Sequence, residues 1–476
     1  MTLKRCVPVF VLISTLTLWA SPPANFAHTV FYATNGNNPI AVSTIDLNGD
    51  KIPDIVVLDP CDSQGCTAGV AAVMLGNGDG TFQTATNYST GAPAGGMGVA
   101  DVTGDGIPDL VFSTTGGIAM LAGNGDGTFQ PLVRSTFGGI AGMALADVNH
   151  DGRLDVVATT STGLVVLFGE GNGIFGNPVT TTTTIATSAL AVGDLDGDGF
   201  PDVAIVVSDG DENGRHSHRV DGTVGLLFGN GDGTFSDPLV YDSLGFFPQQ
   251  LLIANVTQDS LPDLLVVNYL GRVNMSMGSV GEIYNNGNRN FGEFVINPLG
   301  VHAYSVAAGD LNGDGVVDLA VGEGGGSLTT VLTNGQIRHH DAALPKAISI
   351  VDLNGDGMPD IVVAATGANN AGFAAVILAK PEPTKIALTS SGNPSTSGQA
   401  VTFTATTSSA RGPVPNGQTI TFYDGKKELG TGTVASGSAS FTTSSLTVGT
   451  HTIKAKFDGA PFYKQASATV KQVVNQ

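Results

Sequence analysis

Residues 98–135 show the chain's hydrophobic pattern in its simplest form. A run of small residues, Gly98–Val102, leads into a polar stretch and out into an apolar run, Leu110–Ser113. A second apolar run, Ile118–Leu121, follows, then the turn sequence GNGDGTF (Gly123–Phe129), then a more polar run, Leu132–Ser135. Runs of four or five residues, rich in β-branched types and bounded by glycine and aspartate, are too short for helices and predict four strands. The glycines and asparagine of the turn tolerate positive φ, which a tight reversal needs.

The same pattern recurs along the chain. Its polar centre reads DLNGDKIPD from Asp46, DVTGDGIPD from Asp101, DVNHDGRLD from Asp147, DLDGDGFPD from Asp194, NVTQDSLPD from Asn255, DLNGDGVVD from Asp310 and DLNGDGMPD from Asp352. The GNGDGTF turn returns at Gly76 and Gly229, as GEGNGIF at Gly169 and as NNGNRNF at Asn285. A period of about 50 residues with four strands each is the signature of a propeller blade, so an all-β, seven-bladed β-propeller is expected over residues 28–380. After the last loop only two strand candidates remain, Ile361–Ala365 and Phe373–Leu378. A spare one, Thr29–Ala33, precedes the first loop. Pairing Val30–Tyr32 with Phe373–Leu378 would complete the last blade and remove an exposed edge.

At Pro381 the pattern changes. Residues 381–384 read as a stiff linker, and 385–474 alternate Thr, Val and Phe between serine-rich turns, as in VTFTATT at Val401 and THTIKAKF at Thr450. About seven short strands in such a length predict a β-sandwich. It lacks the cysteine pair and tryptophan of an antibody-type core.

Charge sharpens the reading. The net charge of −21 excludes a nucleic-acid partner, which needs a basic stripe. About half of the 41 acidic residues lie in the seven loops. In D-x-[DNT]-x-D-G-x-x-D, side-chain oxygens at the first, third, fifth and ninth positions can converge on one hard cation such as Ca²⁺. The alternative is a set of metal-free aspartate turns, in which crowded carboxylates repel by about 4 kcal/mol per close pair. The expected calcium ligands are Asp46, Asn48, Asp50 and Asp54; Asp101, Thr103, Asp105 and Asp109; and Asp147, Asn149, Asp151 and Asp155. The later repeats supply Asp194, Asp196, Asp198 and Asp202; Asp310, Asn312, Asp314 and Asp318; and Asp352, Asn354, Asp356 and Asp360. That makes about six Ca²⁺ sites. Asn255, Asp259 and Asp263 form a weak or vacant seventh loop, and Lys51 replaces the usual glycine in the first.

Residues 1–27 have the form of a secretory signal: Lys4 and Arg5, an apolar run Val7–Trp19, and small residues up to Ala27. The run is too short to span a membrane. Export to an oxidising compartment favours a local disulfide between Cys61 and Cys66 over two free thiols.

The D-x-N-G-D-G-x-x-D loops with their GNGDGTF turns resemble FG-GAP or VCBS repeats, the repeat of integrin α-subunit propellers. The C-terminal phrases PNGQTITFYDGKKELG and LTVGTHTIKAKFDG resemble bacterial immunoglobulin-like domains. The resemblance implies calcium between the first and second strands of each blade and ligands on the opposite face. There the longest loops, Asp59–Ala68, Ser208–Gly222 and Asn268–Gly281, are expected. Asp211, Arg215, His216, His218, Tyr269 and Arg272 are the candidate ligand-face residues. His216 and His218 beside acids suit either a transition metal or a solvated loop. The expected function is a secreted, monomeric binding or adhesion module for an extracellular protein or glycan, without catalysis. The alternative is a carbohydrate-active protein, either a lectin or an enzyme accessory.

Overall fold

The computed structural model describes residues 25–476 apart from 63–64, 138, 161–162, 183–185, 209–220, 272–276, 300 and 332–336. Most of the expected leader therefore lies outside the described residues. The chain divides into two compact units, Ala24–Lys380 and a second that contains Pro381–Gln476. Both are built of strands, and among the described residues the one helical element is a short 3₁₀ turn, Ala368–Asn370.

In the first unit each repeat folds as an antiparallel meander. Ala41–Ile45 enters the Asp46 loop, Asp54–Asp59 leaves it, and Val70–Met74 and Thr86–Ser89 complete the sheet. The leaving strands Asp54–Asp59, Asp109–Thr114, Asp155–Thr160, Asp318–Glu323 and Asp360–Thr366 are buried at every position. Their near-continuous apolar sequence follows from that, because neighbouring sheets cover both of their faces. Leu58 packs with Leu110, Phe112 and Leu121 of the next repeat, and Ile55 and Val57 pack with Val362 and Val376 of the last.

Repeats 4 and 5 share one seven-stranded sheet. The 16-residue strand Leu239–Ala254 first pairs with Asp221–Leu227 and then with Asp263–Gly271. On either side of the changeover at Gly245–Phe246, Leu244 and Phe247 take φ of 66° and 54°. The strands that enter the loops pack in sequence, from Ala41–Ile45 through Ala94–Ala100, Ile140–Ala146, Ala186–Gly193, Leu239–Ala254 and Ala303–Gly309 to Leu344–Val351. The last of these returns to the first. The sheets thus form a closed β-propeller.

The seam of this ring joins the two ends of the repeat array. Strand Val30–Asn37 pairs antiparallel with Ala371–Ile377, with Val30 opposite Val376 and Ala33 opposite Phe373. The pairing continues upstream, where Phe26 bridges Ala379 and the Lys380 N–H donates to the Asn25 carbonyl at 2.6 Å. Asn25–Ala27, read from sequence as the end of the leader, therefore belong to the propeller unit. Cys61 and Cys66 form a disulfide beside the seam, where Asn37 pairs with Cys61.

Asp59 is buried at this seam, packed so closely by Gly36 and Gly372 that a Cβ on either would collide with its carboxylate. Neither carboxylate oxygen has a well-formed hydrogen bond. Burial pushes the carboxyl up to about 7, with the Thr34 hydroxyl opposing. The folded chain thus holds a proton that the unfolded chain releases near pH 4. The resulting stability is full below about pH 4 and is lost as pH rises to about 7. Asp59→Asn should therefore match the wild type in urea at pH 4 and exceed it at pH 8, by about 2–4 kcal/mol. Equal midpoints at pH 8 would refute this.

The second unit is a sandwich of two sheets. One contains Lys385–Ser390, Val401–Ser408 and Ser438–Thr443. The other contains Ser395–Thr396, Ala466–Asn475, Gly449–Phe457, Thr419–Asp424 and Lys427–Thr433. Phe403, Phe422, Phe457, Ile420 and Ile453 fill the core between them. The strand beyond the seven expected is the two-residue Ser395–Thr396.

Candidate functional site

The seven loops share one construction. The first aspartate folds back over its own loop: Asp101 accepts the N–H groups of Gly104 and Asp105 on Oδ1 and of Gly106 on Oδ2. The fifth caps the turn, as Asp105 does for Ile107 N–H at 2.9 Å. Burial pushes Asp46 and Asp101 upward, but their N–H donors outweigh it and hold both below the usual carboxylate range. Lys51 takes the left-handed conformation of the glycine it replaces and donates its N–H to Asp46 at 2.8 Å.

The ninth aspartate has a duty that the sequence reading missed. Asp54 is buried and accepts Leu47 N–H on one oxygen at 2.9 Å and Gly76 N–H on the other at 2.8 Å. Gly76 opens the GNGDGTF turn, so the carboxylate staples that turn to the loop. Asp109 does the same with Val102 and Gly123, Asp155 with Val148 and Gly169, and Asp202 with Leu195 and Gly229. Asp360 holds Leu353 and Ala379. Even in the acid-poor Asn255 loop, Asp263 holds Val256 and Asn285. A Cβ at Gly76, Gly123 or Gly229 would collide with the carbonyl of Pro53, Pro108 or Pro201, which explains the opening glycine. Three turns also hook the preceding loop: Gly127 N–H donates to the Leu47 carbonyl, Gly173 N–H to that of Val102 and Gly233 N–H to that of Val148.

The staple does not exhaust these oxygens, since each carboxylate oxygen carries two lone pairs. Among the described residues, Asp194, Asp196 and Asp202 bring carboxylate oxygens within 4.8 Å of one another. Ligands about 2.3–2.6 Å from a Ca²⁺ ion are separated by distances of this order, so an all-oxygen calcium shell fits. Burial pushes Asp202 and Asp360 up to about 6 against their N–H donors, with the neighbouring loop aspartates adding to the rise. Asp54, Asp109 and Asp155 are raised mainly by burial too. A cation near such groups would relieve both effects.

The opposite ends of the same strands carry different chemistry. Tyr269, six residues beyond Asp263, lies in strand Asp263–Gly271 and stacks on His302 at 4.1 Å between centroids. Tyr304 meets Tyr269 edge-on at 5.5 Å, and the Lys346 ammonium sits 3.7 Å above the Tyr304 ring. Burial lowers the Lys346 pKa, while the ring face beneath it favours the charged ammonium. Phe247, Gln249, Tyr269 and Tyr304 line an open hollow of about 350 Å³, and Phe247 is 44% exposed. Of the expected ligand-face residues, Tyr269 is in this shelf. Asp211, Arg215, His216, His218 and Arg272 lie outside the described residues.

Sequence reasoning missed Phe247, His302, Tyr304 and Lys346, which sit on three different repeats. A signal was present. Counting back from each loop, the eighth and sixth residues are Pro93 and Gly95, Gly139 and Ala141, and Ala186 and Ser188 in repeats 2–4. In repeats 5–7 they are Phe247 and Gln249, His302 and Tyr304, and Leu344 and Lys346.

A ring of meanders, each closed by an aspartate loop, defines an all-β repeat protein of the propeller class. The model of the FG-GAP-like repeat matches residues 46–100, 101–158 and 147–205, and that of the FG-GAP repeat matches 302–338 and 345–377. The bacterial Ig-like domain (group 3) matches 388–475. The chain is therefore an FG-GAP-repeat protein with a C-terminal bacterial Ig-like domain. The degenerate Asn255 loop falls between the matched segments.

No curated protein matches the chain. Among solved structures it is similar to BBS1N, determined in complex with ARL6DN, at 13% identity and a TM-score of 0.50, over 75% of this chain and 97% of that one. An Agrocybe aegerita lectin recognising non-reducing terminal N-acetylglucosamine aligns at 18% identity and 0.46, over 68% and 91%. The extracellular domain of a hybrid two-component system from B. thetaiotaomicron aligns at 9% and 0.42, over 95% and 59%. At these identities the likeness to BBS1N is one of fold.

Proposed function

We propose that this protein is a secreted, seven-bladed binding module that engages an extracellular protein or glycan through the face opposite its aspartate loops, with Ca²⁺ in about six loops as structural support. The observation that carries the reading is the shelf of Phe247, Tyr269, His302 and Tyr304. Phe247 is exposed and Tyr269, His302 and Tyr304 are half-buried, so these aromatic groups from separate strands keep ring surface in water without filling the core, and rigid aromatic anchors supply most of the energy of many interfaces. The local disulfide agrees with an extracellular setting. The Ig-like unit serves as a spacer in this reading.

A glycan reading is favoured within this by the largely aromatic lining of the hollow, whose ring faces suit stacking against the apolar face of a sugar. The test is a glycan array and an extracellular-protein panel probed with wild type, Phe247→Ala and Tyr304→Ala. Each replacement should weaken the bound ligand by about tenfold or more while leaving the melting temperature nearly unchanged. A ligand held equally by both variants would overturn the assignment of this face.

A further inference from the structure

The fifth residue of the GNGDGTF turn is Gly80, Gly127, Gly173 and Gly233 in repeats 1–4, all at positive φ. A Cβ at Gly80, Gly127 or Gly233 would collide with Leu378, Leu75 or Phe168, the residue before the equivalent turn of the preceding repeat. In repeat 5 this position is Arg289, with φ of 58°. Its guanidinium lies 4.5 Å from the ring centroid of Phe228, the residue that corresponds to those three. From there it reaches into the loop of repeat 4. Nε donates to Asp196 Oδ2 at 2.5 Å, and Nη2 lies 3.5 Å from Asp198 Oδ2.

Asp196 is itself exceptional. The third loop position is Asn48, Thr103, Asn149, Thr257, Asn312 and Asn354 in the other repeats. The one loop with an additional carboxylate at this position thus faces the one of these five turns with an arginine in place of glycine at its fifth. With Asp196 buried to 7% exposure, its charge needs a partner.

We propose that Arg289 is the resident cation of the Asp194 loop: it competes with Ca²⁺ for Asp196 and Asp198, and ties repeat 5 to repeat 4 when the ion is absent. The loop richest in acids is then not the tightest calcium site, because an internal positive charge already occupies its outer oxygens. The proposal rests on the calcium reading above.

The test is calorimetric titration of calcium into the full chain, in wild type, Arg289→Gln and Arg289→Lys. Arg289→Gln should tighten one site by about tenfold and leave the others unchanged, and Arg289→Lys should stay near wild type. On an Asp196→Asn background, Arg289→Gln should change affinity by no more than about twofold. In EDTA, Arg289→Gln should melt below wild type, and the gap should close in calcium. Calcium uptake by wild type that Arg289→Gln leaves unaltered would overturn this inference alone. No uptake by wild type at any loop would overturn the calcium reading and the competition with it.

Discussion

Chelation with EDTA should lower the melting temperature of the propeller by more than about 10 °C, with reversal on adding calcium. If the loops bind with a Kd of about 10⁻⁴ M, free calcium at about 1 mM stabilises each occupied site by about 1.4 kcal/mol. About six such sites sum to about 8 kcal/mol, comparable with the whole stability of many domains. Without the ion, carboxylates such as Asp194, Asp196 and Asp202 must stay within 4.8 Å of one another. Differential scanning calorimetry in each condition measures the effect. Identical melting in EDTA and calcium would dismiss structural calcium, leaving the loops as hydrogen-bonded turns.

Asp263→Ala should cost about 3 kcal/mol or more in a urea titration, and the cost should be the same in calcium and EDTA. The carboxylate accepts Val256 N–H and Asn285 N–H at 2.9 Å each, together with the N–H and hydroxyl of Thr257 at 3.1 Å, and its removal strands three backbone donors. Asn is a poor substitute, because its amide NH₂ would meet one of those N–H groups donor to donor. The Asn255 loop is chosen because it has the weakest claim to a metal, so the staple can be measured alone. Asp259→Ala, in the same loop but exposed and holding only Leu261 N–H, should cost about 1 kcal/mol. Equal costs for Asp259 and Asp263 would refute the staple.

The repeats made the architecture legible. The period, the apolar runs and the fixed Asp-loop spacing are local signals, each present several times over. The same redundancy hid the staple made by the ninth aspartate. Read along the chain, Asp54 is one more carboxylate in an acidic loop. Only the fold shows that Gly76, 22 residues later, comes back to donate to it. The aromatic shelf was harder still, because Phe247, Tyr269 and Tyr304 converge through ring geometry rather than spacing. It becomes visible in sequence only when repeats are aligned on their loops and the odd positions are sought, as with Arg289. The contacts of Asn25–Ala27 were equally invisible: along the chain they look like the tail of an apolar leader, and their pairing with Ala379 and Lys380 spans the whole repeat array.

The seam between Val30–Asn37 and Ala371–Ile377 sets a timetable for biosynthesis. The first strand made cannot find its partner until some of the last residues of the propeller have been polymerised. At about 5–20 residues per second, Val30 waits roughly 20–70 s for Val376. For that interval the nascent array is an open arc with an unpaired strand at one end. Premature termination anywhere before the final repeat would release a chain that cannot close, so quality control has a single late event by which to judge the whole ring.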